Sequence, residues 1–126
     1  MPIAWELDSD KRFSNAASAL WLHLVSPRPA IQLSIIWGGI EAMFLIERGI
    51  KQKLSKAISR FLLGDDSIAD QVKDLYESRC KAVHEFKNME DGVVSASVSL
   101  LYRLICKSIE IESLPDTDAL LKENTP

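Results

Sequence analysis

The chain has 126 residues, of which 47% are hydrophobic and 26% are charged, and its formal net charge is −3. This length is that of one ordinary domain with a substantial hydrophobic core, and the composition is ordinary for a globular protein. Because the charge balance is slightly acidic, it argues against a general nucleic-acid coat protein. Any nucleic-acid partner must therefore bind a local basic patch.

The cysteine content and the hydropathy pattern predict a cytoplasmic protein. Cys80 and Cys106 form no CxxC pair, and no Cys/His cluster has zinc spacing, so we expect reduced thiols, no metal and no cofactor. The N-terminal sequence lacks the basic-then-apolar order of a signal peptide. The longest nearly apolar run, residues 31–46, is too short and too polar to span a bilayer, so no membrane partner is expected.

Helical patterns begin near the N-terminus, and no strand or hairpin signal occurs. A first helix is predicted over residues 9–25, with Asp8 or Ser9 as its N-cap. The Ser-Pro-Arg-Pro segment at 26–29 ends it, because each proline disfavours the helical conformation in the preceding residue. The apolar stripe of this helix comprises Phe13, Ala16, Ala17, Leu20 and Leu24.

The second predicted helix begins near Ala30 and is apolar nearly all round, which predicts the central, most buried element. Each glycine of the Gly38-Gly39 pair costs about 1 kcal/mol relative to alanine inside a helix. The pair therefore predicts the close approach of another backbone, from a neighbouring helix or from a second subunit. The inward face comprises Leu33, Ile36, Trp37, Ile40 and Phe44.

A basic amphipathic helix is predicted over residues 50–63, with an apolar face of Leu54, Ala57, Ile58, Phe61 and Leu62. Such a helix either packs on the core with its lysines in solvent or lies on a membrane surface, and packing is the favoured interpretation. A turn at 64–67 follows, in which Asp66 or Ser67 is expected to cap the next helix.

The remaining chain predicts two long helices and a tail. One helix runs to about residue 86, and after a loop the last runs over about 93–112, with Val94, Val98, Leu101, Ile105 and Ile109 on one face. Together these helices predict an all-α bundle of four to five helices over residues 1–112. Residues 113–126 are predicted to be a loose polar tail.

An arginine occupies the core-facing stripe of the helix that ends near residue 86. Val72, Tyr76, Arg79, Val83 and Phe86 recur at the spacing of an amphipathic seam. Because a guanidinium cannot lose its charge, an arginine here must meet a carboxylate, a phosphate or a water-filled pocket. A structural pairing with Glu41 or Glu77 is one alternative, and a functional site is the other.

His84 follows Arg79 by five positions, which is about 140° around an ideal helix beyond one full turn. The two side chains therefore leave the helix in different directions. Either the helix is distorted before His84, or the pair meets where two copies of this helix face each other. The second alternative predicts a homodimer with the site at or near its two-fold axis.

The order of these segments resembles the HEPN superfamily, and most closely its Apea-like branch. The resemblance covers roughly residues 12–110 and rests on the acidic segment IEAMF at 40–44 and on LYESRCKAVH at 75–84. HEPN proteins are small helical bundles that usually dimerise. Many are metal-independent endoribonucleases with an Arg-x4-6-His signature, and they occur in toxin–antitoxin and antiviral-defence systems.

The resemblance implies that Arg79 and His84 are the catalytic pair of an RNA-cleaving site, with Glu41 in support. It implies RNA-binding roles for Lys81, Lys87 and Tyr76, an RNA substrate, and an antitoxin or defence-complex partner. A histidine can take or give a proton when the 2′-hydroxyl attacks the phosphorus, and an arginine can bind the phosphate. No metal or cofactor is needed for that reaction.

Two positions depart from the family pattern. Cys80 stands where a small polar residue is common, and Glu85 stands where a glycine usually follows the histidine. Glu85 places a negative charge beside the expected phosphate site. A non-catalytic HEPN domain, acting as a dimerisation or partner-binding module of a larger defence assembly, is therefore the alternative function.

Overall fold

The computed structural model describes the backbone of residues 10–85 and 92–122 and the side chains of residues 10–81 and 92–122. Within those ranges the chain is all-helical, with no strand. One short 3-10 turn, His23–Val25, follows the first helix. The six α-helices are α1 Lys11–Leu22, α2 Pro29–Phe44, α3 Ile50–Leu63, α4 Ala69–Glu85, α5 Val93–Glu110 and α6 Thr117–Leu121.

Helix α2 is the central element, as its all-round apolar sequence predicts. It packs against α1, α4 and α5, and it begins with Pro29, whose fixed φ suits the first helical turn. The residue that follows its last turn, Leu45, adopts a left-handed conformation with φ 53° and ends the helix. Its buried residues are Leu33, Ile36, Trp37, Gly39, Ile40, Met43 and Phe44.

The two adjacent glycines of α2 have different environments. A Cβ atom on Gly39 would lie 2.8 Å from the Cβ of Ala19 and 3.3 Å from the Cα of Ala16, so α1 crosses α2 closely at this point. Gly38 is exposed, and a Cβ there would meet nothing within 4 Å. The close approach predicted from the pair is therefore made by a neighbouring helix, and at Gly39 alone.

This difference predicts opposite effects of the same substitution. We expect Gly39→Ala to lower the free energy of unfolding by about 1–3 kcal/mol, because the added methyl group overpacks the contact with α1. Gly38→Ala is the matched control and should raise it by up to about 1 kcal/mol through helix propensity. Urea unfolding measures both, and a Gly39→Ala protein as stable as the wild type would contradict the close crossing.

The ends of α1 differ from the sequence-based prediction. Asp8 and Ser9, the expected N-caps, lie outside the described residues, and Asp10 caps the helix by accepting a hydrogen bond from the Arg12 amide at 2.8 Å. Phe13 and Ala16 are buried as predicted. Leu24 is not, since 66% of it is exposed. The α-helix gives way to the 3-10 turn after Leu22, and this changes the direction of the following side chains.

Helix α3 confirms the packed alternative for the basic amphipathic segment. Leu54, Ala57, Ile58 and Phe61 are buried, and the Phe61 ring meets the ring of Phe44 edge-on at 6.1 Å. The lysines of α3 are exposed. Among the described helices, none combines the length and the hydropathy that crossing a membrane would require.

The turn between α3 and α4 is held by three side chains. Ser59 donates a hydrogen bond to the Asp65 carbonyl at 2.7 Å and accepts one from the Ile68 amide at 3.1 Å. Asp66, an expected N-cap of α4, pairs instead with Arg60, whose Nε and Nη2 donate to its two carboxylate oxygens at 2.7 and 3.1 Å. This pairing holds the pKa of the Asp66 carboxyl below its ordinary value.

The buried face of α5 includes two serines that the apolar pattern did not select. Ser97 accepts a hydrogen bond from the Trp37 indole at 3.1 Å, and Ser108 donates one to the Leu104 carbonyl at 3.0 Å. Ile109, predicted to face the core, is 42% exposed. Because both serine hydroxyls are hydrogen-bonded, they can be buried without a large desolvation cost. The buried face therefore differs in part from the predicted one.

The prediction of a loose tail is wrong for residues 113–122. Leu114 is buried, the hydroxyl of Thr117 donates to the carbonyl of Phe44, and Arg60 donates to the carbonyl of Leu120 at 2.8 Å. The short helix α6 is capped by Asp116, which accepts a hydrogen bond from the amide of Ala119. These contacts fix the segment on the end of α2 and on α3. Residues 123–126 lie outside the described residues.

Candidate functional site

Four of the residues that the motifs single out come together where α4 packs on α2. Tyr76, Arg79 and Cys80 lie on α4, and Glu41 lies on α2. Tyr76 is buried, and its ring meets the ring of Trp37 edge-on at 5.4 Å with an interplanar angle of 76°. Trp37 is itself fixed by its hydrogen bond to α5. The tyrosine ring is therefore held in place by its packing, and it forms an aromatic floor on which another side chain can lie.

Arg79 lies on this floor. Its guanidinium carbon is 5.5 Å from the centroid of the Tyr76 ring, which is cation–π distance, and its Nη1 donates to the Cys80 sulfur at 3.7 Å. Its Nε is buried and has no hydrogen-bond acceptor within the described part of the chain. A buried donor without an acceptor is costly, and an anion that reached Arg79 would remove that cost.

Neither carboxylate proposed as a structural partner forms an ion pair with Arg79. Glu77 pairs with Lys51 at 3.1 Å, and this ion pair holds the pKa of the Glu77 carboxyl below its ordinary value. Glu41 lies near the hydroxyl group of Tyr76 instead, and its charge affects the pKa of that group. Burial raises the pKa of the Tyr76 hydroxyl to about 12, and the negative charge of Glu41 contributes to the increase. Among the described side chains, Arg79 has no ion-pair partner.

The backbone of α4 bears on the two alternatives for Arg79 and His84. It is assigned as one α-helix without a break from Ala69 to Glu85. The two positions are therefore about 140° apart around the helix. The side chain of His84 and the whole of Lys87 lie outside the described residues, so their predicted roles stay predictions.

The structure places neither Lys81 nor Tyr76 so that it could contact RNA beside Arg79. Lys81 is exposed, but residues two positions apart on a helix point to nearly opposite sides, so it lies away from Arg79. Tyr76 is 8% exposed, and its ring carries Arg79. It therefore supports the arginine from beneath and leaves little surface on which a base could stack.

A separate cleft of about 690 Å³ lies between the end of α2, the first turn of α3 and the segment before α6. Its floor includes the buried Phe44 and Leu114. None of the predicted site residues whose side chains are described lines it. Its rim carries charges of both signs, namely Arg12, Arg48 and Lys53 against Glu47, Asp116 and Asp118.

The described part of the chain contains no group of three or more His, Cys, Asp or Glu side chains placed to hold a metal ion. The class of protein that the fold defines is an all-helical bundle with a partly buried arginine on an aromatic floor. Comparison with protein-family models, curated proteins and solved structures finds no match for this chain.

Two side chains near the site were not assigned to it from the sequence, namely Trp37, which contacts Tyr76, and Cys80, which contacts Arg79. Trp37 was predicted as a core residue, and Cys80 was named as a departure from a family pattern. The spacing of Trp37 and Glu41 by one helical turn is the signal that could have placed both against Tyr76. Nothing in the sequence indicates the contact between the Cys80 thiol and the guanidinium.

Proposed function

We propose that this protein is a metal-independent endoribonuclease of HEPN type that acts in the cytoplasm as a toxin or antiviral-defence component. The proposal rests on one observation above the others. Arg79 is held on the Tyr76 ring, its buried Nε–H has no acceptor among the described residues, and no described carboxylate neutralises it. A phosphate group offers the paired oxygen acceptors that a guanidinium binds best.

The reaction uses two side chains. His84 removes the proton from the 2′-hydroxyl of the ribose, and the oxygen attacks the adjacent phosphorus while the bond from phosphorus to the 5′-oxygen breaks. Arg79 binds the non-bridging oxygens and offsets the charge that develops on them. The leaving 5′-oxygen takes up a proton from a water molecule, and the protonated His84 returns its proton to the solvent. The products are a 2′,3′-cyclic phosphate and a 5′-hydroxyl.

A homodimer belongs to this proposal. Because positions 79 and 84 lie about 140° apart on a straight helix, one α4 does not present both side chains to one phosphate directly. Arg79 of one protomer and His84 of the other would reach a shared phosphodiester. Glu41 acts at a distance from the phosphate, through its negative charge beside the Tyr76 hydroxyl.

The alternative is a non-catalytic HEPN module that dimerises or binds a partner such as an antitoxin. One observation favours it, since neither Arg79 nor Glu41, the predicted catalytic residues with described side chains, lines the cleft of about 690 Å³. In this alternative Arg79 would contact a partner protein, and its unfilled donor would be satisfied by an acceptor on that partner.

An assay for cleavage of a mixed RNA pool in the presence of EDTA distinguishes the nuclease proposal from the non-catalytic alternative. The nuclease proposal expects fragments that end in a 2′,3′-cyclic phosphate and begin with a 5′-hydroxyl. Enzymatic end analysis identifies both groups. A folded protein that leaves the pool intact at high enzyme concentration, with and without added divalent metal, would contradict the nuclease proposal.

A further inference from the structure

A continuous series of side-chain contacts leads from α5 to Arg79 through two aromatic rings. Ser97 of α5 accepts a hydrogen bond from the indole N–H of Trp37 at 3.1 Å. The ring of Trp37 meets the ring of Tyr76 edge-on, with 5.4 Å between the two centroids. The guanidinium carbon of Arg79 lies 5.5 Å from the centroid of the Tyr76 ring. These four side chains, called here the aromatic column, belong to three different helices.

The inner part of the aromatic column is closed to solvent. Trp37 and Ser97 are fully buried, and Tyr76 is buried as well. A buried indole N–H needs an acceptor, and the hydroxyl oxygen of Ser97 supplies it. Because protein interiors are close-packed, a displacement of the indole ring would be transmitted to the Tyr76 ring rather than absorbed by empty space. The guanidinium that lies on Tyr76 would then move with it.

The hydroxyl group of Ser97 is used differently from those of other helical serines in this chain. Ser55, Ser78 and Ser108 each donate a hydrogen bond to the carbonyl four residues earlier in their own helix. Such a bond is local and fixes no other helix. Ser97 instead accepts a hydrogen bond from a side chain sixty residues earlier in the sequence, on α2. Its hydroxyl therefore determines the position of a ring on another helix.

We infer that Ser97 and Trp37 are positioning residues, whose hydrogen bond sets the place of the Arg79 guanidinium through the ring of Tyr76. The expected effect on the reaction rate rests on the proposed function, whereas the effect on Arg79 does not. Because Arg79 offsets charge that develops in the transition state, displacing it should lower kcat and leave KM nearly unchanged. A misplacement of about 1 Å can cost about 100-fold in rate, so we expect a loss of about 10-fold in Ser97→Ala.

A purely structural role for the same hydrogen bond makes a different prediction. If the bond only stabilises the packing of α5 on α2, Ser97→Ala lowers the stability of the fold and leaves Arg79 in place. Ser108→Ala is the matched control, since Ser108 is also fully buried on α5 but bonds within its own helix. A change shared by both variants reflects stability, and a change in Ser97→Ala alone reflects positioning. Urea unfolding of both proteins measures the shared part.

The first measurement follows Arg79 in the full chain without RNA. Its Nε is buried, so the proton on this nitrogen should exchange slowly with water, and heteronuclear NMR measures the exchange rate. The signal that is missing in Arg79→Lys identifies the proton. Ser97→Ala should raise the exchange rate at least ~10-fold through local opening, and Ser108→Ala should leave it unchanged. Trp37→Phe, which keeps an aromatic ring but lacks the indole N–H, should behave as Ser97→Ala does.

The second measurement is steady-state cleavage of a defined RNA by the same proteins. Ser97→Ala should show the lower kcat with an unchanged KM, and Ser108→Ala should cleave at the wild-type rate. Equal exchange rates of the Arg79 proton in the wild type and in Ser97→Ala would overturn the inference, as would equal kcat values. A wild type that does not cleave RNA contradicts the proposed function instead, and the exchange rates still decide whether Ser97 positions Arg79.

Discussion

Arg79→Ala is expected to lower the rate of RNA cleavage by at least about 100-fold, because it removes the group that binds the charge developing on the phosphate. Arg79→Lys should recover only a small part of the rate. An ammonium group cannot bind two oxygens side by side, and it does not stack on the Tyr76 ring as a planar guanidinium does. Single-turnover cleavage of a defined RNA measures both rates.

The Arg79→Ala protein should keep its fold, so that a loss of RNA cleavage can be distinguished from a loss of stability. Arg79 forms no ion pair among the described residues, and its buried Nε has no acceptor. Removing it therefore breaks a cation–π contact and one weak hydrogen bond to sulfur, and the free energy of unfolding should change by no more than about 1 kcal/mol. Arg103→Ala, an exposed arginine on α5, is the control and should cleave at the wild-type rate.

A large loss of stability in Arg79→Ala would contradict this account. It would mean that the arginine holds the bundle together through side chains beyond the described residues. Full cleavage by a folded Arg79→Ala protein would remove Arg79 from the catalytic site, and the partner-binding alternative would then explain its unfilled donor better.

His84→Ala is expected to slow cleavage by about 10²–10⁴-fold, the range that one general acid or base contributes. The dependence on pH is a second readout. A histidine must be neutral to act as a base, so the wild-type rate should fall as the solution becomes acidic enough to protonate it. In His84→Ala this decrease should disappear, and the residual rate should follow hydroxide concentration.

His23→Gln is the matched control for the pH profile, because the chain contains only two histidines. His23 is buried beside the Ala19 carbonyl, and glutamine can still donate a hydrogen bond there. This variant, assayed well below its unfolding temperature, should keep the decrease in rate at acidic pH. If the decrease disappears in His23→Gln and persists in His84→Ala, the catalytic assignment of His84 is wrong.

Local sequence determined much of the helical framework. The prolines at 27 and 29 and the glycine at 64 fall at helix boundaries because they restrict or permit backbone conformations whatever the rest of the chain does. The apolar faces of α2 and α3 were predicted correctly for a related reason. Where nearly every residue on a face is apolar, the periodicity alone identifies the buried side.

Tertiary structure decided the points at which a local pattern has more than one solution. Gly38 and Gly39 are equivalent in sequence, and only the crossing of α1 separates them. Ser97 is buried because Trp37, sixty residues earlier, donates to it. Leu114 and the short helix after it pack down because the end of α2 and Arg60 supply hydrogen-bonding partners for their polar groups.

At the candidate site, too, the sequence determined one part of the arrangement and the tertiary structure determined the other. The sequence marked Arg79 as an arginine on a core-facing stripe and named two carboxylates that could neutralise it. In the folded chain Glu77 pairs with Lys51 and Glu41 lies beside Tyr76, while the guanidinium lies on an aromatic ring and its Nε has no acceptor among the described residues. Such pairings depend on distances between side chains of different helices, and periodicity along one helix carries no information about those distances.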